Sequence, residues 1–340
     1  MGDIMKVTAV ISTKDRYETT LPLCITAIAN QTYKPKELII YDDGEQKDLR
    51  AHPVYENLFA LLTLKGIDWK VQFGEKRGQV RNHQKSILEA QGDWIWRVDD
   101  DVIPEANTLK QLVDDIGPEV GAVGGCVIDP KMNLQLSHLA SNKIADIYLG
   151  LNKQWFKHEG NPYEVDHLYS SFLYRKEAAK HGYCMELSPV GHREETIFTY
   201  EMKRAGWKII VDPDVITWHL RATQGGIRDG HRFMFEHDEG IFARKMHEWK
   251  IKPTHRCVVV LDNGIGDHFV FKRLLPLFKQ KPIIACCYTE VFEDVDYQVI
   301  SIADAKALID IDPLNIYRWM AEHNWTKSLE QAYKELYGLN

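Results

Sequence analysis

The chain has 340 residues, of which 44% are hydrophobic, and its formal net charge at pH 7 is −7. This length suffices for one large domain, or for a domain and a smaller module, around a proper buried core. The acidic balance argues against electrostatic nucleic-acid binding, although a local basic channel remains compatible with it. The six cysteines show no C-x-x-C spacing, residues 1–6 contain no apolar leader, and no run is long enough to span a membrane. We therefore expect a cytoplasmic protein with reduced thiols and no transmembrane segment.

Strand and helix patterns alternate from the start of the chain. The β-branched run at residues 7–11 predicts a strand, and apolar positions between residues 17 and 32 recur at helical spacing. Residues 38–41 predict a second buried strand, which the turn-forming sequence Asp42-Asp43-Gly44 ends. A third strand is predicted at residues 70–73.

The alternation continues with a predicted helix at residues 79–91, a strand at 93–98 and a helix at 105–116 behind Pro104. Strands that alternate with helices indicate an α/β fold with a mostly parallel sheet covered on both faces. In such sheets ligands bind beyond the carboxyl ends of the strands. Thr13, Asp43 and the acidic residues 99–101 would converge there.

The second half of the chain divides into three parts. Residues 129–189 have weak periodicity, and we assign no elements to them. A helix is predicted at 194–204, because Gly206 follows it as a helix-ending residue, and a strand is predicted at 207–211. From residue 256 a strand, a glycine loop and a helix through residue 277 begin a new pattern. We therefore predict a domain over residues 1–252 and a small α/β module over 255–340.

Three successive carboxylates, Asp99, Asp100 and Asp101, follow the apolar run Trp94-Ile95-Trp96. Adjacent negative charges repel one another, so a fold that places them at the end of a strand uses them to hold something cationic, most simply a divalent metal. The alternative is a solvated acidic turn, which is common in proteins.

Five features follow in one chain order: Thr13 after the first strand, Asp43 after the second, residues 77–82 at the start of a helix, the acidic triplet, and Glu194-Glu195 before His219. This order resembles the family 2 inverting glycosyltransferases of the GT-A fold, over residues 6–222. The resemblance implies a nucleotide-diphospho-sugar transferase fold, a Rossmann-like sheet with helices on both faces, for the domain at 1–252.

The resemblance also implies how the donor is bound. By this likeness Thr13 and Asp43 contact the nucleotide base, and Asp43 accepts a hydrogen bond from a uracil-like N–H. Arg77 or Arg81 would contact the base edge or the diphosphate, because an arginine fork suits either group. Without the resemblance, Asp43 belongs to an ordinary turn and the arginines are solvated residues of a helix.

The triplet matches the Asp-x-Asp motif of the family. This match implies that Asp101 ligates Mn²⁺ or Mg²⁺, that Asp100 meets the ribose and that Asp99 supports the site. His219 matches a histidine that some relatives use as a further metal ligand, and its alternative is a structural histidine. A cation that bridges two phosphates would neutralise the charge on the departing nucleoside diphosphate.

An inverting transfer is a direct displacement in which one carboxylate deprotonates the acceptor hydroxyl. Glu195 is predicted to be this base, because it corresponds to the second acid of the Glu-Asp pair of the family, with Glu in place of the usual Asp. The alternative is that Glu194 and Glu195 only favour a helix N-terminus.

The last part of the chain contains Gly264-Ile265-Gly266-Asp267 between a strand and a helix. This loop weakly resembles the opening of one half of the GT-B heptosyltransferase-like enzymes, and no second half is present. A lone glycine loop is a weak signal. We therefore expect an accessory module for homo-oligomerisation or acceptor docking, without a second active site.

These observations predict a metal-dependent inverting glycosyltransferase that moves a hexosyl or pentosyl group from a nucleotide-sugar donor, most simply a UDP-sugar, to a hydroxyl of a glycan or glycolipid. A modified nucleobase, as in phage-type DNA modification, or a protein is an alternative acceptor. Two other functions stay open, a non-catalytic nucleotide-sugar binder and a nucleotidyltransferase. A nucleotidyltransferase would have a glycine-rich loop after its first strand, and residues 12–16 contain no glycine.

Overall fold

A computed structural model describes residues 5–45, 47–130, 144, 160–222, 224–227, 232–251, 258–279, 281–302 and 316–339. These residues form two compact units, one up to residue 251 and one from residue 258. The described part of the chain contains no helix with both the length and the apolar character that crossing a membrane requires.

The first unit is built on one large sheet. Its strands are β1 (Val7–Thr13), β2 (Glu37–Asp42), β3 (Asp68–Phe73), β4 (Trp94–Asp99), β5 (Val102–Pro104), β6 (Val120–Ile128), β7 (Tyr163–Glu164), β8 (Phe172–Arg175) and β9 (Lys208–His219). Their spatial order is β3-β2-β1-β4-β8-β6-β9-β5, and β7 pairs with β9 beyond this path. The side chains of β2 and β6 are buried along their whole length, as expected for strands covered on both faces.

The helices of this unit are α1 (Leu21–Ala29), α2 (Pro53–Leu64), α3 (Gln79–Glu89), α4 (Thr108–Asp114), α5 (Glu194–Arg204) and α6 (Arg232–Glu248). Helix α1 begins later than its periodicity predicts, and Pro22 lies in its first turn, where the missing N–H costs nothing. Helix α2 was not predicted. It buries Tyr55, Phe59 and Leu62, which recur at intervals of four and three residues and form one apolar face.

The predicted α/β class is confirmed, and the pairing of the strands is more mixed than predicted. Strands β3, β2, β1 and β4 are mutually parallel. Strand β8 comes from the stretch without clear periodicity, and it lies antiparallel to both β4 and β6. Strand β9 extends well beyond the predicted 207–211, and its pairing with β6 shifts register between Gly125 and Cys126. Pro213 lies at this irregularity, where a strand tolerates a residue without an N–H.

The second unit contains the strands β10 (Val258–Leu261), β11 (Ile283–Cys286) and β12 (Gln298–Ser301), which form a parallel sheet in this order. Its helices are α7 (Ile265–Lys272), α8 (Ile316–Glu322) and α9 (Leu329–Tyr337). Helix α7 ends before the predicted residue 277, because Pro276 cannot continue an α-helix and lies in a short 3₁₀ turn instead. Phe271, Phe292 and Tyr333 belong to the unit's own hydrophobic core.

Candidate active site

The sheet brings three of the predicted site residues, Thr13, Asp43 and Asp99, to one edge. In the parallel pairing, Thr13 lies opposite Asp42 on β2, and Ser12 lies opposite Asp99 on β4. The backbone N–H of Asp43 donates to the carbonyl oxygen of Thr13 at 2.9 Å. The carboxyl ends of β1, β2 and β4 therefore present Thr13, Asp43 and Asp99 side by side, at the edge where ligands of parallel sheets bind.

Asp43 is buried, and one of its carboxylate oxygens is fixed from the start of α3. Its Oδ2 accepts hydrogen bonds from the backbone N–H of Gly78 at 2.7 Å and from Nδ2 of Asn82 at 2.9 Å. Nδ2 of Asn82 also donates to the hydroxyl of Ser12 at 3.0 Å. Within the described residues Oδ1 of Asp43 has no such partner, so this oxygen can accept a hydrogen bond from a ligand.

Gly78 allows α3 to begin where it does. Its φ is +83°, in the range that favours glycine, and a Cβ here would lie 2.6 Å from Cβ of Pro189. The next residue, Gln79, donates its backbone N–H to the carbonyl oxygen of Pro189 at 3.1 Å. The start of α3 is therefore packed directly on the loop that leads into α5.

The two predicted arginines lie near this loop without contacting Asp43. Arg77 pairs with Glu75, and both side chains are partly exposed. Arg81 is exposed on α3 and forms no ion pair with any residue that the structure describes. Asn82, the neighbour of Arg81, is the side chain that reaches Asp43.

The acidic triplet lies where β4 passes into β5. Val102 of β5 pairs with His219 at the end of β9, which brings this histidine back to the triplet. Single ligand atoms of Asp99, Asp101 and His219 lie within 4.8 Å of one another, and Nε2 of His219 is 3.2 Å from Oδ1 of Asp101. Two carboxylates and one imidazole form a donor set that fits a divalent cation such as Mn²⁺.

Arg16, from the loop after β1, also reaches the triplet and was not predicted. Its Nη1 is 2.7 Å from Oδ2 of Asp101, and its Nε is 3.5 Å from Oδ1 of Asp100. Burial raises the pKa of Asp100 to about 7, against the opposing effect of Arg16. Burial acts in the same direction on Asp101, but hydrogen bonding and charge from His219 and Arg16 outweigh it and hold the pKa of Asp101 well below its ordinary value.

Arg97, on β4, connects the triplet with the two glutamates and was also missed. This fully buried guanidinium has Nη1 2.5 Å from Oε1 of Glu194, and Nη2 lies 3.4 Å from Oδ1 of Asp99 and 3.5 Å from Oε1 of Glu195. Its Nε donates to the carbonyl oxygen of Ser170 at 3.0 Å. The sequence contained a signal for it, because an arginine inside a buried strand needs a buried counter-charge.

Glu194 and Glu195 begin α5, and the structure gives them different surroundings. Glu194 is fully buried, and its Oε1 also accepts a hydrogen bond from Nε2 of Gln79 at 2.7 Å. Burial raises the pKa of Glu194 to about 8, and the charge of Arg97 opposes this shift. Glu195 is 3% exposed, and its ion pair with Arg97 is longer. Glu194 therefore has closer and more numerous polar contacts than Glu195.

Helix α6 fixes the loop that precedes the two glutamates. The buried carboxylate of Asp238 accepts hydrogen bonds from the backbone N–H of Ser188 at 2.7 Å, its hydroxyl at 2.8 Å and the backbone N–H of His192 at 2.8 Å. Nε of Arg193 donates to Glu239 at 2.9 Å. A buried carboxylate with three donors immobilises a loop, so the start of α5 has a defined position.

Comparisons with known proteins agree with this architecture. Residues 8–182 match the family model described as Glycosyl transferase family 2. The glucosyl-dolichyl phosphate glucuronosyltransferase of Haloferax volcanii is 30% identical over 129 residues, which are 36% of this chain and 39% of that protein. The match therefore spans about two fifths of that relative's length.

Two solved structures show a similar fold. S. aureus TarS 1-349 in complex with UDP-GlcNAc gives a TM-score of 0.50 at 16% identity, over 71% of this chain and 67% of that chain. GalNAc-T7 with UDP, GalNAc and Mn²⁺ gives a TM-score of 0.51 at 14% identity, over 98% of this chain and 57% of that chain. The family match covers more than half of the chain and the fold agrees with it. The chain therefore belongs to glycosyl transferase family 2 and has the GT-A fold.

Proposed function

We propose that this glycosyltransferase transfers a sugar, with inversion, from a UDP-sugar to a hydroxyl of a glycan or glycolipid in a metal-dependent reaction. The observation that carries the proposal is the common edge at which the buried carboxylate of Asp43, the acidic triplet and the glutamate pair meet, with Arg97 between the last two. Each part of a displacement reaction has a residue of suitable chemistry at this edge.

The donor base would bind at Asp43. A carboxylate oxygen with no described partner suits the imide N–H of uracil, and the amides of Gly78 and Asn82 hold the carboxylate in place from its other oxygen. Thr13, at the end of the adjacent strand, would form the other side of the base site. Arg77 and Arg81 are candidates for contacts with the base edge or the diphosphate, since both side chains are accessible from solvent.

Asp101 and His219, together with Asp99, would hold Mn²⁺ or Mg²⁺, and Asp100 would meet the ribose. The support is the donor set itself, and the structure of the related fold GalNAc-T7 contains Mn²⁺ with UDP. When bound, the cation would neutralise negative charge on the departing nucleoside diphosphate. The triplet and the glutamate pair together carry more carboxylates than the two arginines can balance, so an added cation is electrostatically favourable.

Glu195 would be the general base. The acceptor oxygen attacks the anomeric carbon, its proton passes to a carboxylate oxygen of Glu195, and the bond between the sugar and the diphosphate breaks. Glu194 is less suited to this task, because Arg97 and Gln79 both engage its Oε1 and the residue is fully buried. Arg97, at 3.5 Å from Oε1 of Glu195, would orient the base.

The first test is donor hydrolysis with a panel of nucleotide sugars in the presence of Mn²⁺ and then of EDTA. We expect UDP-sugar hydrolysis that EDTA abolishes. Nucleotide-sugar binding without hydrolysis or transfer to any acceptor would contradict the proposed reaction. Asp101→Asn should strongly weaken donor binding, measured by calorimetry with Mn²⁺, whereas Asp114→Asn, an exposed carboxylate paired with Lys110, should not.

The second test concerns the base. Glu195→Gln cannot accept a proton, so transfer should fall by about 10²–10⁴-fold while donor affinity is retained. The matched control is Glu201→Gln on the same helix, where the carboxylate contacts Arg204 and Trp249. A full rate in Glu195→Gln, or an equal loss in the control, would contradict the assignment.

We propose that residues 255–340 form an accessory unit for self-association or acceptor docking. This unit has its own core, and Gly266 lies in the first turn of α7, where an added Cβ would meet nothing within 4 Å outside the helix. The variant Gly266→Ala/Asp267→Ala, which also removes the 2.9 Å hydrogen bond from Tyr317, should leave donor hydrolysis unchanged. Loss of hydrolysis in a folded double variant would mean that this unit takes part in the chemistry.

A further inference from the structure

The acidic triplet already has a positively charged side chain against it. Arg16 lies 2.7 Å from Asp101 through Nη1 and 3.5 Å from Asp100 through Nε, and these three side chains are 10–12% exposed. Oδ2 of Asp101, the oxygen that faces Arg16, also accepts the backbone N–H of Ala222 at 3.3 Å. His219 faces the other oxygen, Oδ1. The arginine therefore shares a carboxylate with the proposed metal ligands.

The position of Arg16 is built into the surrounding backbone. Gly225 and Gly226 have φ of +72° and +91°, and a Cβ at Gly226 would lie 2.6 Å from Nη2 of Arg16. A Cβ at Gly225 would lie 2.2 Å from the carbonyl oxygen of Asp15, and the N–H of Gly226 donates to the carbonyl of Lys14 at 2.7 Å. The backbone of Gly226 thus lies against the guanidinium and that of Gly225 against the carbonyl that precedes Arg16, and the positive φ at both positions favours glycine.

We infer that Arg16 is an internal counter-cation of the acidic site, which neutralises Asp100 and Asp101 when no metal is bound and competes with a divalent cation for Asp101. This inference rests on the proposed function, because it takes Asp101 as a metal ligand. Two buried carboxylates that adjoin each other are costly without a positive charge nearby. The guanidinium supplies that charge within the same chain.

Competition follows from the sharing of one carboxylate. A divalent cation at Asp101 would lie close to the guanidinium, and like charges repel strongly where water is excluded. Metal binding to the free protein must therefore overcome the ion pair of Arg16. A donor diphosphate would offer the displaced guanidinium a new anionic partner, so metal and donor should favour each other's binding.

The test uses Mn²⁺ alone, titrated into the full-length protein and followed by electron paramagnetic resonance of the free ion. Arg16→Gln should bind Mn²⁺ at least about tenfold more tightly than the unmodified protein, because the competing charge is gone. The control is Arg50→Gln, an exposed arginine paired with Asp48, which should leave the Mn²⁺ affinity unchanged. Unchanged or weaker Mn²⁺ binding in Arg16→Gln would overturn the inference.

A second readout is thermal unfolding. In EDTA, Arg16→Gln should unfold at a lower temperature than the unmodified protein, and Mn²⁺ should remove most of this difference. Should the glutamine variant not fold, Arg16→Lys replaces it: a single ammonium cannot reach both carboxylates as the guanidinium does, so Mn²⁺ should again bind more tightly, and an unchanged affinity would overturn the inference.

Asp101→Asn separates the two levels of the argument. If Asp101→Asn retains the Mn²⁺ affinity of the unmodified protein, the proposed metal site itself is wrong, and the inference fails with it. If Asp101→Asn loses Mn²⁺ while Arg16→Gln changes nothing, the metal site stands and only the role of Arg16 is refuted.

Discussion

The ion pair between Arg97 and Glu194 allows a quantitative prediction about stability. Both side chains are fully buried, and the closest atoms are 2.5 Å apart. Arg97→Met keeps a long apolar side chain but leaves Glu194 without a cation. Burial raises the pKa of Glu194 to about 8 although the charge of Arg97 opposes the shift, so without Arg97 this pKa rises further and the buried carboxyl group stays protonated. Breaking a buried pair by removing one partner costs about 3–5 kcal/mol, and we expect a loss up to this size for Arg97→Met.

The pH dependence has a definite sign. In the variant the pKa of Glu194 in the folded state lies above its value in the unmodified protein, so the variant keeps this proton to a higher pH. The destabilisation by Arg97→Met should therefore be constant below about pH 7 and grow as the pH rises through about 8, where only the unmodified protein releases this proton. The variant Arg97→Met/Glu194→Gln removes the stranded carboxyl group, so it should be more stable at pH 7 than Arg97→Met alone.

Urea unfolding, followed by tryptophan fluorescence at pH 7 and pH 9, measures these differences. The control is Arg175→Met: Arg175 lies over the rings of Trp94 and Trp207 and donates to a backbone carbonyl, so its loss should cost the same at both pH values. A destabilisation by Arg97→Met that does not change with pH, or a double variant that is simply additive, would refute the reasoning.

Two further predictions concern other parts of the first unit. Gly78 and Gly74 both have φ of +83°, but only a Cβ at Gly78 would collide with Pro189. Gly78→Ala should therefore lose about 1–3 kcal/mol more unfolding free energy, measured in urea, than Gly74→Ala. Equal losses in the two variants would contradict the packing argument. Burial and the neighbouring Asp212 raise the pKa of Asp115 to about 7, well above its unfolded value, so the folded state loses stability as the pH rises from about 4 to 7. Asp115→Asn should therefore melt at a higher temperature than the unmodified protein at pH 8, and this difference in melting temperature should vanish near pH 4. A difference that stays constant with pH would contradict the shift.

Much of the fold could be predicted because local patterns decide it. Buried parallel strands appear as continuous apolar runs, and turn-forming residues mark their ends, so β1, β2 and β4 were expected close to where they lie. The bounds of α5 match the prediction, because acidic residues open the helix and glycine follows it. The carboxyl ends of neighbouring parallel strands share an edge, which is why Thr13, Asp43 and Asp99 were expected together.

The rest depends on contacts between distant residues. Strand β8 is short and comes from a segment without periodicity, and its antiparallel insertion between β4 and β6 has no local signal. The partners of Arg16 and Arg97 could not be predicted for the same reason, although the place of Arg97 in a buried strand signals that it has a counter-charge. A guanidinium shows its partners only when the register of the sheet places carboxylates beside it, and a sequence pattern does not fix that register across crossovers.

The contacts around α3 and α5 give the proposed site one rigid frame. The N–H of Gly78 holds Asp43, where the donor base would bind, and the adjacent Gln79 holds the loop before α5 through its backbone and Glu194 through its side chain. Glu194 in turn faces Arg97, which also reaches Glu195 and Asp99. Each contact in this series is buried or hydrogen bonded. The distance between Asp43 and Glu195 is therefore set by packing within one sheet and two helices. Such a frame suits a displacement reaction, in which the acceptor oxygen, the anomeric carbon and the leaving group must be aligned.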